Sequence, residues 1–289
     1  RINVMDMLTV TDVRKSFGSK VVVDGLSFSI PKNSIFGFVG ENGAGKTTFM
    51  RCIANLYSGY KGEISLIEDD GKKNKKFQDS IGYLPQSFDG LGELKVEEFL
   101  GYFADMKGLK KDTVDSEIER VLESVNLLDK RNIKVASLSG GMRRRVGIAQ
   151  TLLGNPKIIM FDEPTTGLDP VERIRFQNII ADNKRNENIT IISTHIVSDI
   201  EYLSDKIIVM KEGYVLGVFS PVELAMKADG KVYELTEEEY AQNTNDVMLV
   251  KISQNVNERT IRVMSDKEIN GKQVKATVED GYLWISRHQ

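Results

Sequence analysis

Ile35-Phe36-Gly37-Phe38-Val39-Gly40-Glu41-Asn42-Gly43-Ala44-Gly45-Lys46-Thr47-Thr48 is the stretch whose reading decides the fold. Its first five residues form a compact apolar run of strand character, the glycines after it mark a turn, and Lys46 to Leu56 has helical character. Strand, loop and helix in that order frame Gly40 to Thr47, which matches the phosphate-binding loop pattern in full. The glycines let backbone N–H groups curl around β- and γ-phosphates, while the helix dipole and Lys46 supply positive charge. Asn42, Gly43, Ala44, Gly45, Lys46, Thr47 and Thr48 are therefore the candidate nucleotide-binding set, with the Thr47 hydroxyl placed to ligate Mg²⁺.

Downstream, Ile158-Ile159-Met160-Phe161-Asp162-Glu163 is an apolar strand ending in two adjacent carboxylates. Such a strand delivers its acids to the carboxyl edge of an open α/β sheet, where ligands collect. Asp162 suits the Mg²⁺ shell, and Glu163 suits the orientation or deprotonation of an attacking water. A carboxylate pair opening a helix would serve the dipole alone. Between the two motifs, Leu138-Ser139-Gly140-Gly141-Met142 opens a helix running through Val146 to Leu153, a second anion-accepting helix start. By residue type alone, Ser139 reads as a cap, Phe17 as core, Gln86 as a loop residue, Asp169 before Pro170 as a helix cap, and His195 as another cap.

Taken together, the order and spacing of these segments resemble the ABC ATPase family over roughly residues 8 to 228. In that family the signature is Leu-Ser-Gly-Gly-Gln; Met142 stands here in place of the glutamine. The resemblance implies that Phe17 stacks on adenine and that Gln86, in Tyr83-Leu84-Pro85-Gln86, senses Mg²⁺ and the membrane partner. Asp169 belongs to a loop crossing between subunits, and His195 contacts the γ-phosphate. Lys46, Gln86, Glu163 and His195 are then the catalytic set, and Thr47, Gln86 and Asp162 the metal set. Ser139, Gly140 and Gly141 would close over ATP held by a second, identical ATPase subunit. A separate transmembrane permease completes the assembly, at the cytoplasmic face of the membrane, with Phe88, Phe99 and Phe103 expected at its docking groove. The run Ser139 to Arg145 is similar to export-type members. Arg143 to Arg145 read as support for the signature helix, with partners that the residues do not name.

The composition agrees. The chain has 289 residues, 40% hydrophobic and 28% charged, and a net charge of −3, so it lacks the overall basic field that draws proteins to nucleic acid. Its one cysteine, Cys52, excludes an internal disulfide and points to a reducing compartment; with two histidines it leaves no zinc cluster. No apolar run approaches the ~20 residues of a spanning helix. The chain opens at Arg1, with Met5 and Met7 as candidate native starts.

The fold class expected is α/β: a phosphate-loop core with an antiparallel β subdomain and a helical signature subdomain, plus a small strand-rich C-terminal domain. The antiparallel part is read as Val21 to Val23 and Leu26 to Ile30 around an Asp24-Gly25 turn. The ATPase domain spans 1–229, its helical part about 90–155, and the accessory domain 230–289. Strands are expected there at Lys231 to Leu235, Val247 to Ile252, Thr260 to Met264, Val274 to Val278 and Tyr282 to Ile285. A soluble nucleotide-gated clamp, which carries two cassettes or a long coiled coil, and an importer ATPase are the rival readings.

Overall fold

The structure, a computed structural model, describes residues 7–68, 70–74, 76–87, 92–184, 188–254 and 259–288. Strands β1 (Met7–Phe17) and β2 (Lys20–Pro31) form an antiparallel hairpin, followed by β3 (Ser34–Val39) and helix α1 (Lys46–Ile53). Next come β4 (Lys61–Ile67), β5 (Lys73–Asn74) and β6 (Ile81–Leu84). Helices α2 (Val96–Met106), α3 (Lys111–Ser124) and α4 (Gly140–Leu152) make up the helical part. The chain then returns through β7 (Ile158–Asp162), α5 (Pro170–Asn183), β8 (Ile189–Thr194), β9 (Lys206–Lys211), β10 (Tyr214–Phe219) and α6 (Pro221–Ala225). Last come β11 (Val232–Leu235), α7 (Glu237–Asn243), β12 (Met248–Gln254), β13 (Arg259–Met264), β14 (Lys272–Gln273) and α8 (Val278–His288).

Among the described residues three sheets result, ordered β2-β1-β4-β5, β10-β9-β3-β8-β7-β6 and β12-β13-β11-β14. In the six-stranded sheet only β10 runs antiparallel. Every residue of β3, β7 and β8 is buried, as expected of parallel strands covered on both faces. The pleat divides them: Phe38, Met160 and Ile191 face the antiparallel sheet and α1, while Val39, Phe161 and Ile192 share a core with the helical part.

The expected turn at Asp24-Gly25 is not one. β2 runs unbroken through it, because Gly25 takes φ 70° and the pairing with β1 shifts register between Val13↔Leu26 and Lys15↔Val23. A bulge absorbs the glycine, and the hairpin turns instead at Gly18, φ 58°.

The strands expected at Val274 to Val278 and Tyr282 to Ile285 are corrected too: β14 ends at Gln273, residues 274–277 have no regular structure, and α8 begins at Val278. Thr277 and Asp280 cap each other's backbone N–H, and Val278, Gly281, Tyr282 and Ile285 line one helical face. That face joins the main core beside Leu224, so the last helix packs against the ATPase part and not only against its own sheet. Gly281 makes this approach possible, since a Cβ there would sit 1.8 Å from the Leu224 carbonyl oxygen.

Candidate nucleotide site

Pairing register brings the site together. Val39 pairs with Thr194, Asp162 with Ser193, and Leu84 with Phe161, so β3, β6, β7 and β8 all end within a residue of one another. The segments leaving that edge are the lysine loop, Pro85-Gln86, Glu163 and His195. Beside it lies a cleft of about 570 Å³, lined by Asn42 to Thr48, Gln86 and Glu163, and by Lys20 to Val22 and Glu212.

The loop is shaped by its glycines. Gly45 caps α1 at φ 99°, with a Cβ position only 2.6 Å from the Val22 carbonyl oxygen, so no side chain fits. Lys46 is buried, its ammonium donating to the carbonyls of Gly40 (2.5 Å) and Glu41 (3.1 Å) and lying 3.6 Å from Glu163 Oε1. Burial pushes its pKa down, and the charges of Glu163 and Asp162 oppose that shift.

Asp162 is fully buried. Its Oδ1 accepts from Thr47 Oγ1 (3.0 Å) and Ser193 Oγ (2.6 Å), and its Oδ2 from the Tyr83 hydroxyl (3.3 Å). Burial, with Asp162's charge second, pushes the Tyr83 phenol up to about 12, so it stays a neutral donor. Glu163 does not open a helix. It sits in a turn at φ 47°, its N–H donating to Ser193 Oγ and Ser193 O, both 3.1 Å away. Its Oε2 is 2.8 Å from His195 Nδ1 and accepts from Thr166 Oγ1 at 3.2 Å, whereas its buried Oε1 accepts no hydrogen bond among the described residues.

A carboxylate oxygen held by a lysine ion pair with no hydrogen bond among the described residues, that buried lysine folded onto its own loop and a backbone curl open at Gly43 suit a triphosphate and an attacking water. Among the described residues no group of three metal-type side chains occurs. Thr47 and Asp162 offer only oxygen donors, which fits Mg²⁺, a cation that completes its shell with water and substrate phosphate.

The signature lies elsewhere. Ser139 caps α4, accepting from the Met142 N–H at 3.2 Å; Ser139 and Gly140 are exposed, and none of Ser139 to Gly141 lines the cleft of their own chain. Gly140 has open space around its Cβ position, while at Gly141 a Cβ would meet Glu172 Cγ at 2.8 Å. Asp169 caps α5 through the Glu172 N–H at 2.9 Å and is exposed. Phe17 is half exposed, in edge contact with Tyr57 at 5.3 Å and under the Lys15 ammonium at 5.0 Å; Lys20 to Val22, just across the hairpin turn, line the cleft in its place.

At the expected docking groove, Phe99 is a correction: it is buried in the helical core against Phe103, because its helix turns that face inward. Tyr102 and Met106 are the exposed apolar side chains of α2, and Phe88 lies outside the described residues. The residues that sequence reasoning missed are Tyr83, Ser193, Glu212 and Glu172. Tyr83 and Ser193 fall within motifs already singled out, and strand alternation with Leu84 and Thr194 was the available signal. Glu212 and Glu172 leave no local signal, because only packing brings them to the loop and the signature.

Residues 23–166 match the family profile of the ABC transporter. The Nod factor export ATP-binding protein I of Rhizobium sp. (strain N33) is 37% identical over 222 residues, covering 74% of this chain and 71% of that protein. The chain belongs to the ABC transporter ATP-binding family. Like that family, it binds nucleotide and hydrolyses ATP as the ATP-binding subunit of a transporter. The linearmycin resistance ATP-binding protein LnrL of Bacillus subtilis (strain 168) is 30% identical over 265 residues, covering 90% of this chain and 84% of that one. Among solved structures, cbiO1 from Clostridium perfringens, part of the ABC transporter complex cbiONQ, superposes with a TM-score of 0.68 at 26% identity. That match covers 75% of this chain and 89% of cbiO1. Among the described residues no helix is long and apolar enough to cross a membrane.

Proposed function

We propose that this chain drives export through a separate transmembrane permease by pairing head-to-tail with an identical copy around two ATP molecules. The observation that carries the pairing is that Ser139 to Gly141, a capped and largely exposed helix start, lies outside the cleft of its own chain. A helix N-terminus with unpaired N–H groups favours an anion, and a neighbouring copy's γ-phosphate supplies one. The export-type names of the relatives and the run Ser139 to Arg145 support the direction.

In this reading Asn42 to Thr48 cradle the phosphates and Lys46 leaves its own carbonyls for them. Thr47, Asp162 and Gln86 would hold Mg²⁺, which neutralises phosphate charge when bound. Glu163 takes the proton of the attacking water on its Oε1 once Lys46, 3.6 Å away, turns to the phosphates, while His195 and Thr166 fix its Oε2. Asp169 faces the neighbouring subunit, and Phe17 lies beside the base. Residues 230–289 would form an accessory unit at the cytoplasmic face of the membrane, joined to the ATPase part through Tyr282 and Ile285 of α8.

The test is Glu163→Gln. General-base assistance is worth ~10²–10⁴-fold, so turnover should fall by that factor with ATP binding retained, and ATP should trap a dimer detectable by light scattering. Hydrolysis at the parent rate, or a strictly monomeric ATP-bound variant beside its permease, would overturn the reading.

A further inference from the structure

Three arginines follow the signature glycines, and the fold sends them to three places. Arg143 is exposed and donates to the Leu138 carbonyl at 2.7 Å. Arg145 is buried, donating to the carbonyls of Val125 (2.9 Å) and Asn126 (3.1 Å), with Nε 3.2 Å from Glu172 Oε2. Arg144 points toward the sheet edge instead. Its Nη1 donates to the carbonyls of Pro85 (3.0 Å) and Gln86 (3.1 Å), its Nη2 to those of Asp162 and Glu163 (3.1 Å each), and its Nε to that of Pro164 (3.0 Å). A guanidinium has five N–H donors in a rigid plane, and here each nitrogen is engaged with main-chain oxygen. All five acceptors lie where the chain leaves the carboxyl ends of β6 and β7.

That arrangement answers a local need. Glu163 holds φ 47°, a conformation a glutamate keeps only when its surroundings over-determine it. Arg144 binds the carbonyls before it, of it and after it. The Gln86 segment has no regular structure of its own after β6 and is tied to the same group. Burial pushes the guanidinium down to about 10, opposed by the charge of Asp162, so it is cationic at neutral pH and its charge-assisted bonds persist.

We propose that Arg144 is a positioning residue for hydrolysis: through five main-chain hydrogen bonds it fixes the Glu163 and Gln86 segments relative to each other and to the signature on the same helix. Ser139 opens α4 and Arg144 lies one turn further along. Engagement of that helix start by a neighbour's nucleotide is thereby registered at this chain's own water-activating carboxylate. The inference rests on the proposed role of Glu163.

The test compares Arg144→Lys and Arg144→Gln with the parent, in the full chain with its permease. Lysine keeps the charge but gathers its donors on one nitrogen, and so cannot span carbonyls on two segments. Both substitutions at 144 are expected to lower kcat by about 10²-fold, the typical effect of an ångström-scale misplacement, with KM for ATP within about 3-fold of the parent. Faster amide exchange in residues 83–87 and 162–168, with β3 unchanged, should accompany the loss. Turnover within about 3-fold of the parent in Arg144→Gln overturns the proposal. Joint loss of ATP binding and melting transition in both variants overturns it as well, since the arginine would then serve the fold alone. Glu163→Gln is run in parallel: parent-rate turnover there sinks the reading of Glu163, whatever the arginine variants do.

Discussion

Replacing Gly281 by alanine should undock the C-terminal helix, whose Tyr282 and Ser286 share a pocket with Glu41 to Ala44 of the lysine loop. The new Cβ would lie 1.8 Å from the carbonyl oxygen of Leu224, 2.5 Å from its carbon and 3.1 Å from Ala225 Cα. These are backbone atoms, so no rotamer change relieves the contact, and α8 must retreat by more than about 1 Å. Tyr282 and Ile285 then lose their seat in the main core, and the 2.7 Å bond from Lys211 Nζ to the Ser286 carbonyl stretches. Overpacking of this kind costs about 1–3 kcal/mol, and full exposure of one of the two side chains a further ~1.5–3. The cheapest response is therefore local release of α8, not global unfolding. Trp284, the single tryptophan of the chain, reports it: the indole stacks on His288 at 4.1 Å, beneath the Lys231 ammonium at 5.8 Å. Emission should shift to the red and quench more readily with acrylamide, and proteolysis should cut near residue 276 before the ATPase part melts. An emission spectrum, quenching constant and melting curve all equal to the parent's would refute the argument.

Gly45→Ala should weaken ATP binding about tenfold or more, because φ 99° and a 2.6 Å approach to Val22 O leave the loop no unstrained form; equilibrium titration with a fluorescent ATP analogue measures it. Ser139→Ala should cost about 1 kcal/mol of stability by losing the cap and should also weaken ATP-driven pairing, whereas Ser139→Thr restores the melting temperature. If pairing is unaffected in the alanine variant, the hydroxyl serves only as a cap. Lys107 tests a pH dependence: its ammonium donates to the Leu153 carbonyl at 2.8 Å, and burial, opposed by Glu117, pushes it down to about 8 from 10.5. The unfolded chain therefore holds more protons between those values, and stability contributed at this site rises with pH across that window and is flat below it. Relative to Lys107→Met, the parent should gain up to about 3 kcal/mol between pH 8 and 10.5 in urea unfolding, and a constant difference would show the amine to be solvated.

By itself the sequence determined whatever is written in contiguous residues. Gly40 to Thr47, the strand ending in Asp162-Glu163, and Ser139 to Gly141 each carry their chemistry locally, since a phosphate loop, a carboxylate at a strand end and a capped helix start are products of short-range geometry. The α/β class was legible for the same reason, in apolar runs whose lengths suit buried parallel strands. Tertiary structure decided what depends on how those pieces meet. Register set four strand ends at one edge, and packing placed Glu172 against Gly141 and turned Phe99 inward. A bulge at Gly25 carried a strand through an apparent turn, because pairing with β1 outweighs one glycine's local preference. Tyr282 to Ile285 became helix where the short apolar run read as strand, since the Thr277–Asp280 cap and the core beneath Leu224 reward a helical stripe. Three neighbouring arginines look alike in the chain, and only the path of α4 past the sheet edge assigns five carbonyls to the middle one.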